Sequence, residues 1–314
     1  MIKKTSSLPH IAVLRGGSYD LKQSIKDGAD VLKSLTKIGY NPLDVLIDED
    51  GDWTLYGKKT DAHYVFTCAH TVVDTTRMSG QDYQRLAKRM GVSILFSSQD
   101  RFCMDKEYAY RLLRQRGIDT PQTTVIRANA DSLDKKLHSI WNKYNLPIML
   151  RPLQRRKDCP SKLVSSFNDL ENTVLDYHKK GADLQVLTYK NLPMSSIAVI
   201  PNFRGEELYM PLWVNIDNES KKIPSRESAM RAHTLASNEK KAEIKKIATK
   251  VYNALALSSP VCIDVIYHNN RYIVVGVDTA PALGSDGRFM KSLETTGIDA
   301  GQYIHSIIQN EFKR

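Results

Sequence analysis

The stretch VCIDVIYHNNRYIVVGVDTAPALG, residues 261 to 284, decides more about the fold than any other part of this 314-residue chain. Apolar runs on either side of His268-Asn269-Asn270 predict two antiparallel strands joined by a tight turn. Side chains alternate between the two faces of a strand, so a turn centred near Asn270 places Asp264 opposite Gly276. Asp278 then lies diagonally from Asp264 on the same face of the hairpin.

The carboxylates of Asp264 and Asp278 are candidate metal ligands. Two carboxylates on adjacent strands repel one another unless a cation lies between them, and Mg²⁺ takes oxygen ligands of this kind. The alternative is that both residues stand at strand ends in water. Spacing alone favours that alternative, because short motifs match by chance.

The composition is that of a globular protein, with 41% hydrophobic and 25% charged residues. The apolar runs are too short for a membrane span, and the run IAVL near the N-terminus is too short for a signal-peptide core. We therefore expect a cytoplasmic protein that does not engage a membrane. The four cysteines lie far apart without metal-ligand spacing, which favours reduced thiols over a zinc site.

The net charge of +10 raises the question of nucleic-acid binding. Lysines and arginines are spread through predicted helices, as in KKAEIKKIATK, and spread charge is typical of solvated helix faces. The exception is RPLQRRKDCPSK, residues 151 to 162, which could hold phosphates or equally be a solvent-exposed loop. Nucleic-acid binding rests on net charge alone and ranks last.

Strand and helix signals alternate in the first part of the chain. Residues 11–14, 43–48 and 62–69 are predicted strands. A helix is predicted after the first of them, and another helix and a further strand, VSILFSS, after the third, which favours a parallel, doubly wound sheet. A small mixed unit follows, and strands dominate the last third before a terminal helix. The predicted domains are residues 1–98, 99–183 and 184–314.

Further motifs occur in a fixed order along the chain. They are IAVLRGGSYDLKQSI, VFTCAH, MDKEYAYRLLRQRGIDTP, LPIMLRP and the pair VCIDVIY and VVGVDTAP. This order resembles that of the D-alanine–D-alanine ligase family of the ATP-grasp superfamily, over nearly all of the chain. The resemblance implies an α/β and α+β fold, in which an N-terminal doubly wound (pre-ATP-grasp) domain precedes a two-part ATP-grasp unit.

The resemblance also implies a chemistry. In that family ATP lies between the central and C-terminal units and phosphorylates a D-alanine carboxylate, and the amine of a second D-alanine attacks the acylphosphate. Mg²⁺ neutralises the phosphates, and transfer of this kind depends on positioning and charge stabilisation. The expected ligands are therefore ATP, Mg²⁺ and an amino acid or dipeptide. A cytoplasmic homodimer that makes a peptidoglycan precursor is likewise implied.

Roles follow for individual residues that match the family motifs. On the substrate side these are Asp20, Ser24 and His70, the last delivered by the strand VFTCAH. The implied phosphate ligands are Lys106 and Arg151, with Arg155 and Arg156 of the basic cluster, and the implied metal ligands are Asp264 and Asp278.

Several positions depart from the family pattern. Gly276 stands at the bridging glutamate, Asp278 at the metal-binding asparagine, and Cys262 at the arginine that steadies the developing oxyanion. Losing one such donor typically costs ~10²–10³ in rate. Leu187 replaces the glutamate that holds the adenosine, and the phosphate loop QRRKDCPSK contains no glycine. Arg288, near the expected Ser-Leu pair, could serve an anion.

Two hypotheses remain open at this point. The first is an ATP-dependent carboxylate–amine ligase of the D-alanyl-D-alanine type with a weakened or altered site. The second is a pseudoenzyme, a ligase scaffold that binds a nucleotide, a peptide-like ligand or a protein partner without turnover. The residues that carry charge at the site discriminate between them.

Overall fold

The computed structural model describes residues 9–17, 21–76, 82–95, 106–128, 132–153, 158–216 and 236–311. The strands within them are β1 (Ile11–Gly16), β2 (Leu43–Ile47), β3 (Trp53–Leu55), β4 (Lys58–Thr60), β5 (Thr71–Asp74), β6 (Ser93–Leu95), β7 (Thr123–Ile126), β8 (Ile148–Pro152), β9 (Lys162–Val164), β10 (Leu184–Thr188), β11 (Met194–Phe203), β12 (Glu206–Tyr209), β13 (Val214–Ile216), β14 (Val261–His268) and β15 (Arg271–Asp278). The helices are α1 (Leu21–Lys37), α2 (Ala62–Cys68), α3 (Asp82–Met90), α4 (Lys106–Gln115), α5 (Leu133–Lys143), α6 (Phe167–Lys179), α7 (Asn238–Ala254), α8 (Arg288–Glu294) and α9 (Ala300–Glu311).

The first sheet has the strand order β4-β3-β2-β1-β5-β6. Strand β1 runs parallel to β2 and β5, and β6 runs parallel to β5, whereas β3 and β4 add an antiparallel edge. Helix α1 packs through Val31 and Leu35 on one face of this sheet. Helices α2 and α3 pack on the other face, through Val65 and Ala87 among others. The prediction of a doubly wound sheet is therefore confirmed.

The prediction of a strand over residues 62–69 is wrong. Residues Ala62–Cys68 form α2, which begins at an N-cap where the Asp61 side chain accepts a hydrogen bond from the Tyr64 backbone amide. An N-cap aspartate satisfies one of the orphan amides of the first turn and so favours the helix. The third parallel strand is instead Thr71–Asp74, whose four residues are all buried.

The second sheet is antiparallel, with the strand order β7-β10-β8-β9. Helices α5 and α6 cover it, and its core includes Leu137, Leu150 and Val174. Strand β10, Leu184–Thr188, lies inside this sheet, although the boundary predicted at residue 184 assigns it to the C-terminal unit. The pairing favours a boundary after Thr188, and the domain limits stay a prediction.

The third sheet contains the hairpin predicted at the C-terminus, with the order β12-β11-β14-β15 and with β13 paired to β11. Asn269 and Asn270 both have positive φ angles, +49° and +59°, as a tight two-residue turn requires. Asp264 pairs with Gly276, and Cys262 pairs with Asp278. The predicted register is thus confirmed, including the placement of both aspartates on one face.

The first and third sheets share one hydrophobic core. Residues of β1 and α1 pack in the same cluster as residues of α8 and α9, such as Phe289 and Tyr303. Hydrogen bonds also stabilise this interface: the backbone amide and the hydroxyl of Ser285 both donate to the Asp30 carboxylate of α1. This contact fixes the loop that leads into α8. No helix among the described residues combines the length and apolar character that a membrane span needs.

Candidate functional site

A cleft lies between the central sheet and the C-terminal hairpin, and it contains two adjoining cavities. One, of about 190 Å³, is lined by charged and apolar side chains of α4, β8, β14, β15 and α8. The other, of about 360 Å³, is mostly apolar and is lined by β8, β10, β14, β15 and the segment that follows β10. Arg151 borders both cavities.

Arg151 is held firmly at this junction. Its Nε donates to Oε1 of Gln185 on the paired strand β10 at 2.9 Å, and its Nη2 donates to the Tyr110 hydroxyl at 3.2 Å. The guanidinium carbon lies 5.4 Å from the centre of the Tyr110 ring, within the range of a cation–π contact. Tyr110 in turn donates to the backbone carbonyl of Val275 on β15. Arg151 therefore presents a fixed positive charge to the cleft.

Lys106 lies on the same wall of the smaller cavity. It is the first residue of α4, and it lines the cavity together with Tyr110 and Arg151. The helix is anchored by Leu113, which is fully buried in the core of the C-terminal unit. The structure thus brings together the two cations that the family resemblance implied as phosphate ligands.

The opposite wall holds an arginine between the two aspartates. Arg288 Nη1 lies 3.0 Å from Oδ2 of Asp264, and Arg288 Nη2 lies 3.4 Å from Oδ2 of Asp278. The other oxygen of Asp278 accepts a hydrogen bond from the Ala280 backbone amide at 3.2 Å. Asp264 Oδ1 is buried and has no hydrogen-bond partner among the residues that the structure describes. The cation between the carboxylates is therefore a guanidinium of the chain itself.

Burial and charge act against each other at this wall. Burial raises the pKa of Asp264 to about 6, although the nearby Arg288 works to lower it. Burial works to lower the pKa of Arg288, but the carboxylates of Asp264 and Asp278 raise it further, so it lies above its ordinary value. Burial also raises the pKa of Cys262, which keeps this thiol neutral. Arg288 therefore stays charged.

Gly276 provides the room for this arrangement. A Cβ atom built at Gly276 would lie 3.0 Å from Oδ2 of Asp264, the oxygen that Arg288 contacts. A longer side chain at this position would crowd the Asp264 carboxylate that Arg288 contacts. The small residue at position 276 therefore leaves the Asp264 carboxylate free to pair with Arg288.

The donor set does not fit a divalent metal ion as it is arranged. A positive guanidinium already contacts both candidate ligands, Asp264 and Asp278. Across the described parts of the chain, no group of three or more His, Cys, Asp or Glu side chains converges in a way that could hold a metal ion. The assignment of the two aspartates as magnesium ligands stays a prediction, and it requires Arg288 to move away.

The larger cavity has the character of a site for an apolar group. Met149, Leu187 and Ile273 are among its lining residues, and the segment Thr188 to Lys190 borders it. Leu187 is almost completely buried, with 5% of its surface exposed. A mostly apolar pocket with a few polar groups at its rim is typical of small-molecule sites.

The two described substrate-side residues, Ser24 and His70, do not come together. Ser24 is buried, and its Oγ accepts a hydrogen bond from the Gly16 amide at 2.8 Å, at the carboxyl end of β1. His70 precedes β5, and its Nδ1 accepts a hydrogen bond from the His10 amide at the amino end of the same sheet. The role of His70 presumed a strand that ended at this residue, and that premise is wrong because α2 precedes it.

Three other predicted site residues lie outside the described residues. These are Asp20, Arg155 and Arg156. The basic cluster thus contributes only Arg151 to the described cleft.

Two residues of the site were not found by the sequence reasoning. Tyr110 and Gln185 orient Arg151. Tyr110 lies in the same motif as Lys106 but was given no role, and Gln185 lies in none of the motifs. Arg288 was noted only as a possible anion site, and its pairing with both aspartates depends on the packing of α8. A sequence signal for this pairing does exist. Compared with the family pattern, the chain has a glycine at position 276, an aspartate at position 278 and an arginine at position 288.

Comparison with known proteins identifies relatives of the whole chain. A family model described as the D-ala D-ala ligase C-terminus matches residues 112–309, which is more than half of the chain. D-alanine–D-alanine ligase A of Bacillus cereus is 23% identical over 322 residues, covering 95% of this chain and 96% of that protein. The D-alanine–D-alanine ligase of Francisella philomiragia is 22% identical over 314 residues, covering 95% and 97%.

Solved structures share the fold. The VanG D-Ala:D-Ser ligase of Enterococcus faecalis superposes with a TM-score of 0.77 at 15% identity, covering 96% of this chain and 99% of that chain. The D-alanine–D-alanine ligase of Bacillus anthracis complexed with ATP superposes with a TM-score of 0.72 at 18% identity, covering 98% of each chain. These matches agree with the three-sheet architecture and with the family match over its C-terminal two-thirds. The chain therefore has the ATP-grasp fold and belongs to the D-alanine–D-alanine ligase family.

Proposed function

We propose that this protein binds ATP in the cleft between its central and C-terminal units. The base occupies the apolar cavity beside Leu187, and the phosphates lie toward Lys106 and Arg151. The observation that carries this proposal is the position of Arg151, which borders the apolar cavity on one side and the charged cavity on the other. An apolar pocket that opens onto fixed cations matches the two halves of a nucleotide.

The activity we propose for this site is ATP-dependent ligation of a carboxylate to an amine, in a weakened or altered form. The terminal phosphoryl group of ATP passes to a carboxylate oxygen, which releases ADP and forms an acylphosphate. The amine then attacks the acyl carbon and expels phosphate. Lys106 and Arg151 would hold the phosphates and offset their charge, which is the main task of a protein in phosphoryl transfer.

The proposal extends to the ligands and the setting of the protein. We take an amino acid or dipeptide, with D-alanine as the first candidate, as the substrate, and a peptidoglycan precursor as the product. A homodimer in the cytoplasm is part of the same proposal. Family membership supports these assignments, since the relatives are named as D-alanine–D-alanine ligases.

A second candidate function is binding without turnover. The pairing of Arg288 with both Asp264 and Asp278 favours it, because the two carboxylates are already neutralised in part by a residue of the chain. The neutral thiol of Cys262 stands where an arginine would steady an oxyanion. A scaffold of this kind would hold a nucleotide or a peptide-like ligand and release no phosphate.

Calorimetric titration with ATP tests the binding proposal. Arg151→Ala should weaken binding by ~10–100-fold, because a hydrogen bond to a charged group contributes about 1.5–3 kcal/mol. Arg271→Ala is the matched control, since Arg271 pairs with the exposed Asp119 and lines neither cavity. Equal affinities of wild type and Arg151→Ala, or no heat from ATP at millimolar concentration, would refute the proposed binding mode.

Phosphate release separates the two candidate functions. The wild-type protein is mixed with ATP and D-alanine, and then with other amino acids. Release that depends on the amino acid supports the ligase. ATP binding without any release supports the scaffold.

A further inference from the structure

We propose that the guanidinium of Arg288 takes the place of a divalent metal ion in this cleft, so that nucleotide phosphates bind there without Mg²⁺. The part about nucleotides rests on the proposed function, whereas the part about the metal does not. The inference starts from a disagreement between the described side chains and the metal site that the family resemblance implies: Arg288 already contacts both candidate ligands, Asp264 and Asp278.

The first argument is geometric. One guanidinium reaches both carboxylates, at 3.0 Å from Asp264 and 3.4 Å from Asp278. A metal ion bridging these two residues would occupy the same space as the guanidinium. A planar guanidinium suits such a position, because its N–H groups fan out toward two acceptors at once.

The second argument concerns how the arginine is positioned. Arg288 is the first residue of α8, where the helix dipole disfavours a positive charge. The two carboxylates offset that cost. The next residues, Phe289 and Met290, are at most 1% exposed in the core shared with α1, so the backbone of Arg288 is fixed. The arginine is therefore held in place before any ligand arrives.

The third argument concerns space. Gly276 leaves free the volume that a longer side chain would take beside Asp264. The hairpin thus lacks a third ligand for a metal at the same point where it admits an arginine. With Arg288 in place, water molecules cannot complete the near-octahedral oxygen set that Mg²⁺ demands around two carboxylates, whereas removal of Arg288 opens that space.

The fourth argument concerns the charge offered to a ligand. Five charged residues line the smaller cavity, namely Lys106, Arg151, Asp264, Asp278 and Arg288. Three positive and two negative side chains give a net charge of +1 among these described residues. The Arg288 side chain is 27% exposed, so its remaining N–H donors can reach a phosphate in the cavity. An anionic ligand therefore meets positive charge here without help from a metal ion.

Binding of Mn²⁺, measured by electron paramagnetic resonance on the nucleotide-free protein, tests the metal half of the inference. We expect wild type to bind no Mn²⁺ at the concentrations where Arg288→Leu binds one equivalent. Lys291→Leu is the matched control, because Lys291 lies one turn further along α8 and pairs with Glu294. Tight Mn²⁺ binding by wild type that Asp264→Asn abolishes would overturn the inference. So would a folded Arg288→Leu that binds no Mn²⁺.

Calorimetry with ATP in Mg²⁺ and in EDTA tests the nucleotide half. The wild-type affinity should agree within ~3-fold in the two buffers, a difference below about 0.7 kcal/mol. A loss of ~10-fold or more in EDTA contradicts the inference. Absence of ATP binding in both buffers refutes the proposed function instead. The Mn²⁺ measurement on wild type then still decides the role of Arg288. It does so even if Arg288→Leu does not fold.

Discussion

Replacing Arg288 with leucine should destabilise the protein strongly, because it leaves two carboxylates without their cation. The side chains of Asp264 and Asp278 are 9% and 18% exposed, so water can do little to solvate the charges left behind. Breaking a buried ion pair by removing one partner costs about 3–5 kcal/mol. Arg288 itself is 27% exposed, which places the expected loss at the lower end, at about 3 kcal/mol.

A double-mutant cycle separates the lost ion pair from the lost packing. Asp264→Asn removes one of the charges and leaves Arg288 paired with Asp278, so it should cost about 1 kcal/mol. In the Arg288→Leu variant the buried carboxylate of Asp264 has lost its partner, so Asp264→Asn removes an unpaired charge and costs less stability than it does in wild type. The coupling energy should therefore be about 1–3 kcal/mol, as for residues in direct contact.

The assay is urea unfolding followed by circular dichroism, in EDTA at neutral pH, with wild type, both single variants and the double variant. The control cycle uses Arg271→Leu and Asp119→Asn, an ion pair whose side chains are 63% and 48% exposed. Its coupling energy should stay below ~1 kcal/mol. Free-energy changes at Arg288 and Asp264 that add within ~0.5 kcal/mol would show that the two residues act independently and would refute the reasoning.

Three further predictions concern the rest of the chain. Gly16→Ala should cost more than ~2 kcal/mol of unfolding free energy, because the φ angle of Gly16 is +99° and the new Cβ would lie 2.0 Å from the Ile47 carbonyl oxygen. A urea midpoint equal to that of wild type would contradict this. Leu150→Ala should cost ~2–5 kcal/mol of unfolding free energy in the same assay, because Leu150 is fully buried. Leu163→Ala, at a residue 42% exposed in the same sheet, should change the unfolding free energy by no more than ~0.5 kcal/mol, and similar losses for the two variants would be inconsistent with the described packing. Burial raises the pKa of Asp74 above its ordinary value of 3.8, so the stability that this carboxyl contributes is present below pH 3.8 and is lost as pH rises through the folded-state pKa. The unfolding free energy of wild type relative to Asp74→Asn should therefore fall with rising pH, at up to about 1.4 kcal/mol per pH unit, and a flat or rising difference would contradict it.

The parts of the fold that the sequence predicted are those with local signals. The doubly wound sheet followed from alternating strands and helices, and the C-terminal hairpin followed from Asn269 and Asn270 between apolar runs. The strand predicted over residues 62–69 failed because a short apolar run fits a buried helix as well as a strand. The N-cap at Asp61 decided for the helix, and this moved His70 to the amino end of the sheet.

The sequence by itself determined that Asp264 and Asp278 belong to adjacent strands. The correct prediction of Asp264 opposite Gly276 assumed a turn centred near Asn270, whereas the two-residue turn Asn269-Asn270 alone would pair Asp264 with Val275. A β-bulge between Asp264 and Val265 shifts the pairing by one residue, and the Val275 carbonyl at this bulge accepts a hydrogen bond from Tyr110 of α4. A slip of one residue reverses which face each side chain takes, so the register of the site depends on tertiary contacts.

The cation between the two aspartates was likewise decided by tertiary structure. The sequence shows an arginine ten residues beyond Asp278, and no local pattern tells whether it points to solvent or into the cleft. Packing of α8 against α1 and β11 in the shared core directs Arg288 inward, where burial makes a paired charge far more stable than an unpaired one. The sequence therefore determined the family and the charged residues, and the fold decided which charges meet, because pairing depends on distances that only packing sets.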